Sequence, residues 1–186
     1  MNDVLKCIMS RRSIRAYKPE QIKEEELQAI VQAGLYAPSA GNQQSWHFTV
    51  IQNPGVIDKI TRTLKAAFLK SDNERFRQMA ANEKFSVFYN APTVIIVSGD
   101  EKAMMPQQDS AAAVENMLLA AASLNIGSCW IGMTGFLFST EEGKALTKEL
   151  GIPEGYKPLN TIVLGYKAAA DPSPAPRKEN LVNYIK

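Results

Sequence analysis

Three arginines fall within five positions of the segment RRSIRAY, residues 11–17: Arg11, Arg12 and Arg15, with Ser13 between them. A planar guanidinium group presents two parallel N–H donors that match carboxylate or phosphate oxygens, so such a cluster either faces water or holds an anion. A second polar segment, PSAGNQQSW at 38–46, carries the uncharged donors and acceptors of Ser39, Asn42 and Gln44 on a backbone shaped by Pro38 and Gly41. The same residues would equally well make a polar connection between a helix and a strand. A third segment, NIGSCWIG at 125–132, reads as a short strand closed by Gly132, with Cys129 and Trp130 inside it.

Other chemistries find little support. The two cysteines, Cys7 and Cys129, stand far apart without a CxxC or Cys/His pattern, and His47 is the only histidine, which disfavours a zinc site, a disulfide framework and any triad that needs a second His. His47 at a strand start is read as a structural hydrogen-bonding residue. Cys129 is read as a buried strand residue, because a redox thiol normally works with a partner. The net charge of +2, with no basic block longer than the Arg11–Arg12 pair, lacks the footprint of a nucleic-acid binder. Composition is that of a globular chain, 45% hydrophobic and 22% charged, and 186 residues fit one domain. No apolar run reaches membrane-spanning length, the start has no long apolar leader and the final NYIK is no prenylation box, so a cytoplasmic protein off the membrane is expected.

The elements that must position these segments can be read from periodicity. Val4, Leu5, Ile8 and Met9 lie at helical spacing, with Asp3 or Asn2 as cap, so a short helix over 3–11 delivers the arginines at its end. Leu27, Ile30, Val31 and Leu35 make a second helix over 24–36, stopped by Pro38 and Gly41. WHFTVIQ at 46–52 is a strand, 55–70 a helix, and 72–88 a polar helical stretch; with Phe68, Phe76, Lys84 and Phe85 it is a candidate substrate cover. APTVIIVSG at 91–99 is a strand buried on both faces. An Ala-rich helix over 109–125, capped by Asp109, is apolar round most of its circumference and belongs in the core or at a subunit interface. A helix near 140–150 and a strand at 158–166 follow, and the Pro-rich tail can hardly be helical before Glu179. Asn125 stands just after the long helix, where a left-handed backbone is wanted. The order favours an α+β layered fold over a doubly wound one, and no GxGxxG or GxxxxGK[ST] occurs.

Taken in order, RRSIRAY, PSAGNQQSW, NIGSCWIG and GYKAAADPSPAPRK resemble the flavin-dependent nitroreductase family along nearly the whole chain. The resemblance implies an α+β fold whose central, mostly antiparallel sheet is flanked by helices and whose domain, residues 1–186, is completed by homodimerisation. FMN would sit at the subunit interface and NADH or NADPH would be the electron donor. By the same resemblance Arg11 and Ser13 lie toward the FMN phosphate and ribityl chain, Arg15 toward the ribityl and pyrimidine side, and Arg177 and Lys178 supply a second phosphate-contacting segment. Arg12 is left between cofactor and solvent. Pro38, Ser39, Ala40, Asn42 and Gln44 would contact the flavin, partly across the dimer, and Cys129, Trp130, Ile131 and Gly132 would form the platform for its ring. Trp130 is left between packing on that ring and packing in the core.

No catalytic side chain is assigned, because the flavin carries the chemistry and the protein supplies orientation and electrostatics. The expected activity is reduction of a small-molecule acceptor, nitroaromatic, quinone or similar, by a ping-pong mechanism. The alternatives are a flavin-binding or regulatory protein without steady turnover and a specialised member of the superfamily. The tail over 167–186 is expected to extend onto the partner subunit, with 179–185 as a strand added to its sheet.

Overall fold

The apolar run after Pro92 forms the central strand β2, Thr93–Asp100, in a computed structural model that describes residues 1–186. β2 lies between β1, Trp46–Ile51, and β4, Tyr156–Gly165, while β3, Gly127–Trp130, pairs with the far side of β4. Every neighbouring pair is antiparallel, with Trp46 opposite Gly99 and Cys129 opposite Val163. Val97 pairs with Asn160 but Ser98 with Pro158, so Leu159 is an extra residue that bulges β4 against β2.

Helices cover both faces of this sheet. Because side chains alternate along a strand, Val94 and Ile96 look into one core and Ile95 and Val97 into the other. The first core is closed by α3, Pro54–Leu69, with α4, Glu74–Ala81, α6, Thr134–Phe138, and α7, Glu141–Glu149. The second is closed by α2, Glu24–Leu35, and α5, Pro106–Ser123, with α1, Asp3–Ser10, lying against α5. Burial on both faces explains why β2 reads as an unbroken apolar run. None of the helices is long and apolar enough to cross a membrane.

Local signals set most boundaries. The Asn2 side chain accepts from the Leu5 amide at 3.0 Å and starts α1; Asn53 does the same for Gly55 at 2.9 Å, with Pro54 as the first residue of α3. Asn125 takes the left-handed conformation, φ 57°, just past α5. Its amide donates to Ala122 O at 3.0 Å and that of Ile126 to Ala121 O at 2.8 Å, the paired bonds of a Schellman ending.

Two expectations are corrected. The long helix begins at Pro106, so Asp109 sits one turn inside it and Met105 is the capping residue. The helical stretch expected over 72–88 is helical only from Glu74 to Ala81; the Asn82 side chain accepts from the Lys84 amide at 3.0 Å and turns the chain out of the helix. Phe68 is fully buried and stacks on Phe76 with ring centroids 4.3 Å apart, and Phe85 and Phe136 lie beside it at 6.3 and 5.4 Å. These aromatics pack on one another at the margin of the first core. Finally, the five-residue α6 between β3 and α7 has no counterpart in the periodicity reading.

Candidate cofactor site

The arginine segment is built as a strap along the sheet edge. α1 ends at Arg11, whose amide donates to Cys7 O at 2.9 Å. The chain then runs beside β3, with Ser13 bridging to Ser128 and the Ile14 amide donating to Ser128 O at 2.9 Å. Further along, the Lys18 amide donates to Tyr166 O and the Ala168 amide to Ala16 O, at 2.9 and 3.0 Å. Tyr17 locks the bend by donating its hydroxyl to Ile14 O at 2.6 Å. Residues 11–17 and 127–130, more than a hundred positions apart in sequence, are thereby held side by side.

The three arginines differ in their commitments. Arg12 donates through one Nη1 to Met9 O at 2.9 Å and Arg11 O at 2.8 Å, which satisfies carbonyls at the open end of α1. Arg11 keeps only a long contact, 3.9 Å from Nε to the Glu115 carboxylate. Arg15 is exposed, with its guanidinium carbon 5.8 Å from the centre of the Tyr89 ring. Hydrogen bonding by the Tyr89 side chain, first, and the Cys129 sulfur, second, raise the Arg15 pKa further above its ordinary value, so the group stays cationic.

Cys129 is buried under this strap. Burial pushes its thiol up, against the opposing influence of Arg15, Ser13 and Arg11, which gather around the sulfur. Tyr17 is likewise pushed well above the ordinary phenol range, chiefly by burial and then by Cys129. Beyond Cys129 the chain opens. Trp130 is 39% exposed, so it is not a core residue, and its indole N–H donates to Asn160 Oδ1 at 3.1 Å. Asn160 in turn donates to Ser110 Oγ at 2.8 Å. Ile131 turns back into the core, with its amide donating to Thr161 O at 2.8 Å. A Cβ added at Gly132 would meet nothing within 4 Å, so the backbone there borders open space. Cations beside an open backbone edge and an exposed indole can hold an anionic, flat ligand.

The 38–45 loop lies at the start of α5. Gly41, Asn42 and Gln44 all take left-handed backbone, φ 58°, 53° and 48°, across a short 3₁₀ turn at Ala40–Asn42. The Ala40 amide donates to Asp109 Oδ1 at 2.9 Å and the Ser45 hydroxyl to Asp109 Oδ2 at 2.6 Å. Within the loop the Gln44 amide donates to Ser39 Oγ at 2.9 Å and the Gln44 side chain to Asn42 Oδ1 at 3.3 Å. Pro38 is exposed beside it. No hydrogen bond or ion pair joins this loop to residues 11–15. Arg177 and Lys178 lie in the exposed tail, and neither is hydrogen-bonded or ion-paired within the chain.

Three residues at these segments were not singled out from the sequence: Tyr89 over Arg15, Asn160 under Trp130, and Asp109 as the acceptor for the loop. Tyr89 and Asn160 carry no sequence signal, since each lies thirty or more positions from its partner. Asp109 was visible only as a helix cap.

An antiparallel four-stranded sheet covered by helices on both faces, with an arginine-bearing strap along one edge strand, defines an α+β class. Residues 8–166 match the sequence model of the Nitroreductase family, and the chain belongs to that family. A protein of Archaeoglobus fulgidus, provisionally named NADH dehydrogenase/NAD(P)H nitroreductase, is 38% identical over 172 residues, covering 89% of this chain and 86% of its own. Among solved structures, a nitroreductase with bound FMN from Bacteroides fragilis superimposes with a TM-score of 0.94 at 39% identity over 100% of both chains. A nitroreductase with bound FMN from Desulfitobacterium hafniense does so at 0.90 and 30% identity, again over 100% of both.

Proposed function

We propose that the protein is an FMN-dependent oxidoreductase that takes a hydride from NADH or NADPH and reduces a small-molecule acceptor, a nitroaromatic, a quinone or a similar compound, in ping-pong order. The observation that carries this reading is the placement of Arg11, Ser13 and Arg15 around β3 at Ser128 and Cys129, on the strand that leads into the open backbone of Gly132. FMN-bound relatives of the same length and fold support it.

The donor set fits the cofactor. Arg11 and the Ser13 hydroxyl suit a phosphate and ribityl oxygens, and Arg15 supplies a permanent cation for the side of the ring that gains negative charge on reduction. Gly132 leaves the ring free to approach the main chain, and Trp130 offers an exposed apolar face held by Asn160. Arg12 is committed to carbonyls and contributes mainly to the end of α1. When bound, the flavin accepts and returns the hydride; the chain contributes position and field.

The chain acts as a homodimer in this proposal, with FMN at the interface. The loop of Ser39, Ala40, Asn42 and Gln44, and the tail bearing Arg177 and Lys178, complete the site of the partner subunit. Support comes from the exposure of Asn42, Gln44, Arg177 and Lys178 and from the absence of bonds between these segments and the arginine strap of their own chain.

The test is the visible spectrum of the purified protein with stoichiometric FMN, followed by anaerobic addition of NADH and NADPH. Retained flavin bands that bleach with either donor, and return on adding a quinone, are expected. Retained bands that neither donor bleaches would favour a flavin-binding protein without turnover. A protein that never retains FMN would end the proposal.

A further inference from the structure

We propose that Asp109 is a positioning residue that clamps the Ser39–Ser45 loop in the shape needed to meet the cofactor; this rests on the reading of that loop as a flavin-contacting segment. Asp109 does not stand where a helix cap would. It lies one turn inside α5, only 3% exposed, and both carboxylate oxygens are directed out of the helix onto the loop. Oδ1 accepts from the Ala40 amide at 2.9 Å and Oδ2 from the Ser45 hydroxyl at 2.6 Å, so one side chain grips both ends of the Ala40–Ser45 arch.

The arch needs such a grip. Its backbone passes through three left-handed residues, and Gln44 in particular has neither the absent Cβ of glycine nor the short polar side chain that makes this region tolerable. Only surrounding contacts can hold it there. The internal bonds, Gln44 amide to Ser39 Oγ and Gln43 amide to Ala40 O at 2.9 and 3.1 Å, close the arch on itself but do not fasten it to the fold. Asp109 fastens it to α5, with two smaller ties: the Asp100 amide to Ser45 O at 2.8 Å and the Met104 amide to Gln43 Oε1 at 2.9 Å. The neighbouring residue on α5, Ser110, accepts from the Asn160 amide that also holds Trp130, so α5 carries the loop and the indole on adjacent positions.

The experiment compares Asp109→Asn, Asp109→Ala and Ser45→Ala with the unsubstituted protein. Amide hydrogen exchange over residues 40–44 and over the middle of α5 is followed in the apoprotein, and FMN affinity by quenching of flavin fluorescence. Uptake of FMN by the unsubstituted protein tests the functional reading on its own. The clamp predicts loop amides exchanging on the order of tenfold faster in Asp109→Ala, with an FMN dissociation constant raised by a comparable factor. Asp109→Asn keeps one acceptor oxygen and should fall between the two, as should Ser45→Ala, which removes one donor and leaves the carboxylate in place. Amides at the centre of α5 should be unchanged. Loop exchange that does not respond overturns the clamp, and so does a loosened loop with unaltered FMN affinity. Loss of protection throughout α5 in every variant would assign Asp109 to general folding and overturn it as well.

Discussion

Arg12 and Arg15 are three residues apart and serve different ends. Arg12 bonds two carbonyls at the end of its own helix, whereas Arg15 stands in solvent beside Tyr89 with its charge uncommitted. Arg15→Ala is therefore expected to raise the FMN dissociation constant by about tenfold or more, since a charge-assisted hydrogen bond is among the stronger single contacts. Arg62→Ala is the control: that side chain is 71% exposed, pairs with Asp58 at 2.8 Å on α3, and its loss should leave FMN affinity unchanged. Equal effects in a fluorescence titration would remove Arg15 from the site. Residue types were thus readable where chemistry is local to a segment, as with guanidinium groups awaiting an anion. They were not readable for Asp109, because an acidic residue ahead of an apolar helix matches the signal of a cap. Pro106 is the better start signal, as proline lacks only an N–H that the first turn leaves unpaired anyway.

At the level of elements, α2 is tied to the chain just after β4 by one polar contact that titrates. The Tyr166 hydroxyl donates to Glu26 Oε2 at 2.7 Å, and the Lys23 amide donates to the same oxygen at 2.9 Å. Hydrogen bonding from Tyr166, first, holds the Glu26 carboxyl below its ordinary range. The native state then binds fewer protons than the unfolded chain, so this contribution is present above the unfolded carboxylate value and lost as pH falls through the lower folded one. Tyr166→Phe is expected to lower the urea midpoint at pH 7. The difference from the unsubstituted protein should shrink as the carboxylate is protonated, below the ordinary carboxylate range. A gap that persists undiminished in acid would show that the ring, not the hydroxyl, makes the contact. Elements long enough to carry a full period, such as β2 and α5, were legible from the sequence. α6 was not, because five residues span little more than one turn, and the end of α4 was overrun because Asn82 terminates it through a side-chain bond to the Lys84 amide rather than through a Gly or Pro.

The whole molecule leaves apolar surface that a single chain does not use. No residue of α1 is buried, and Val4, Ile8 and Met9 are 65%, 48% and 63% exposed. Beside it runs a groove of about 450 Å³ between α1, α2 and α5, lined by Val4, Cys7, Ala33, Tyr36, Leu119 and Ala120. In the tail Leu181, Val182, Tyr184 and Ile185 are all more than two-thirds exposed without regular structure. Apolar patches gathered this way mark interaction surfaces, and the proposed dimer would cover them. Neither the groove nor the tail's resting place could be read from periodicity, which reports only that a helix has an apolar stripe and not which molecule covers it. Ile8→Glu would place an unpaired carboxylate in that covered surface, a cost of at least about 2 kcal/mol for each copy. The expected result in sedimentation is twice the 20.5 kDa chain mass for the unsubstituted protein and a shift toward the single chain for Ile8→Glu, accompanied by loss of FMN. Removal of residues 171–186 should weaken FMN retention by taking Arg177 and Lys178 from the opposite site. A stable single chain that keeps its FMN would break the link between the two observations, because the loop and tail would then have no partner's site to complete.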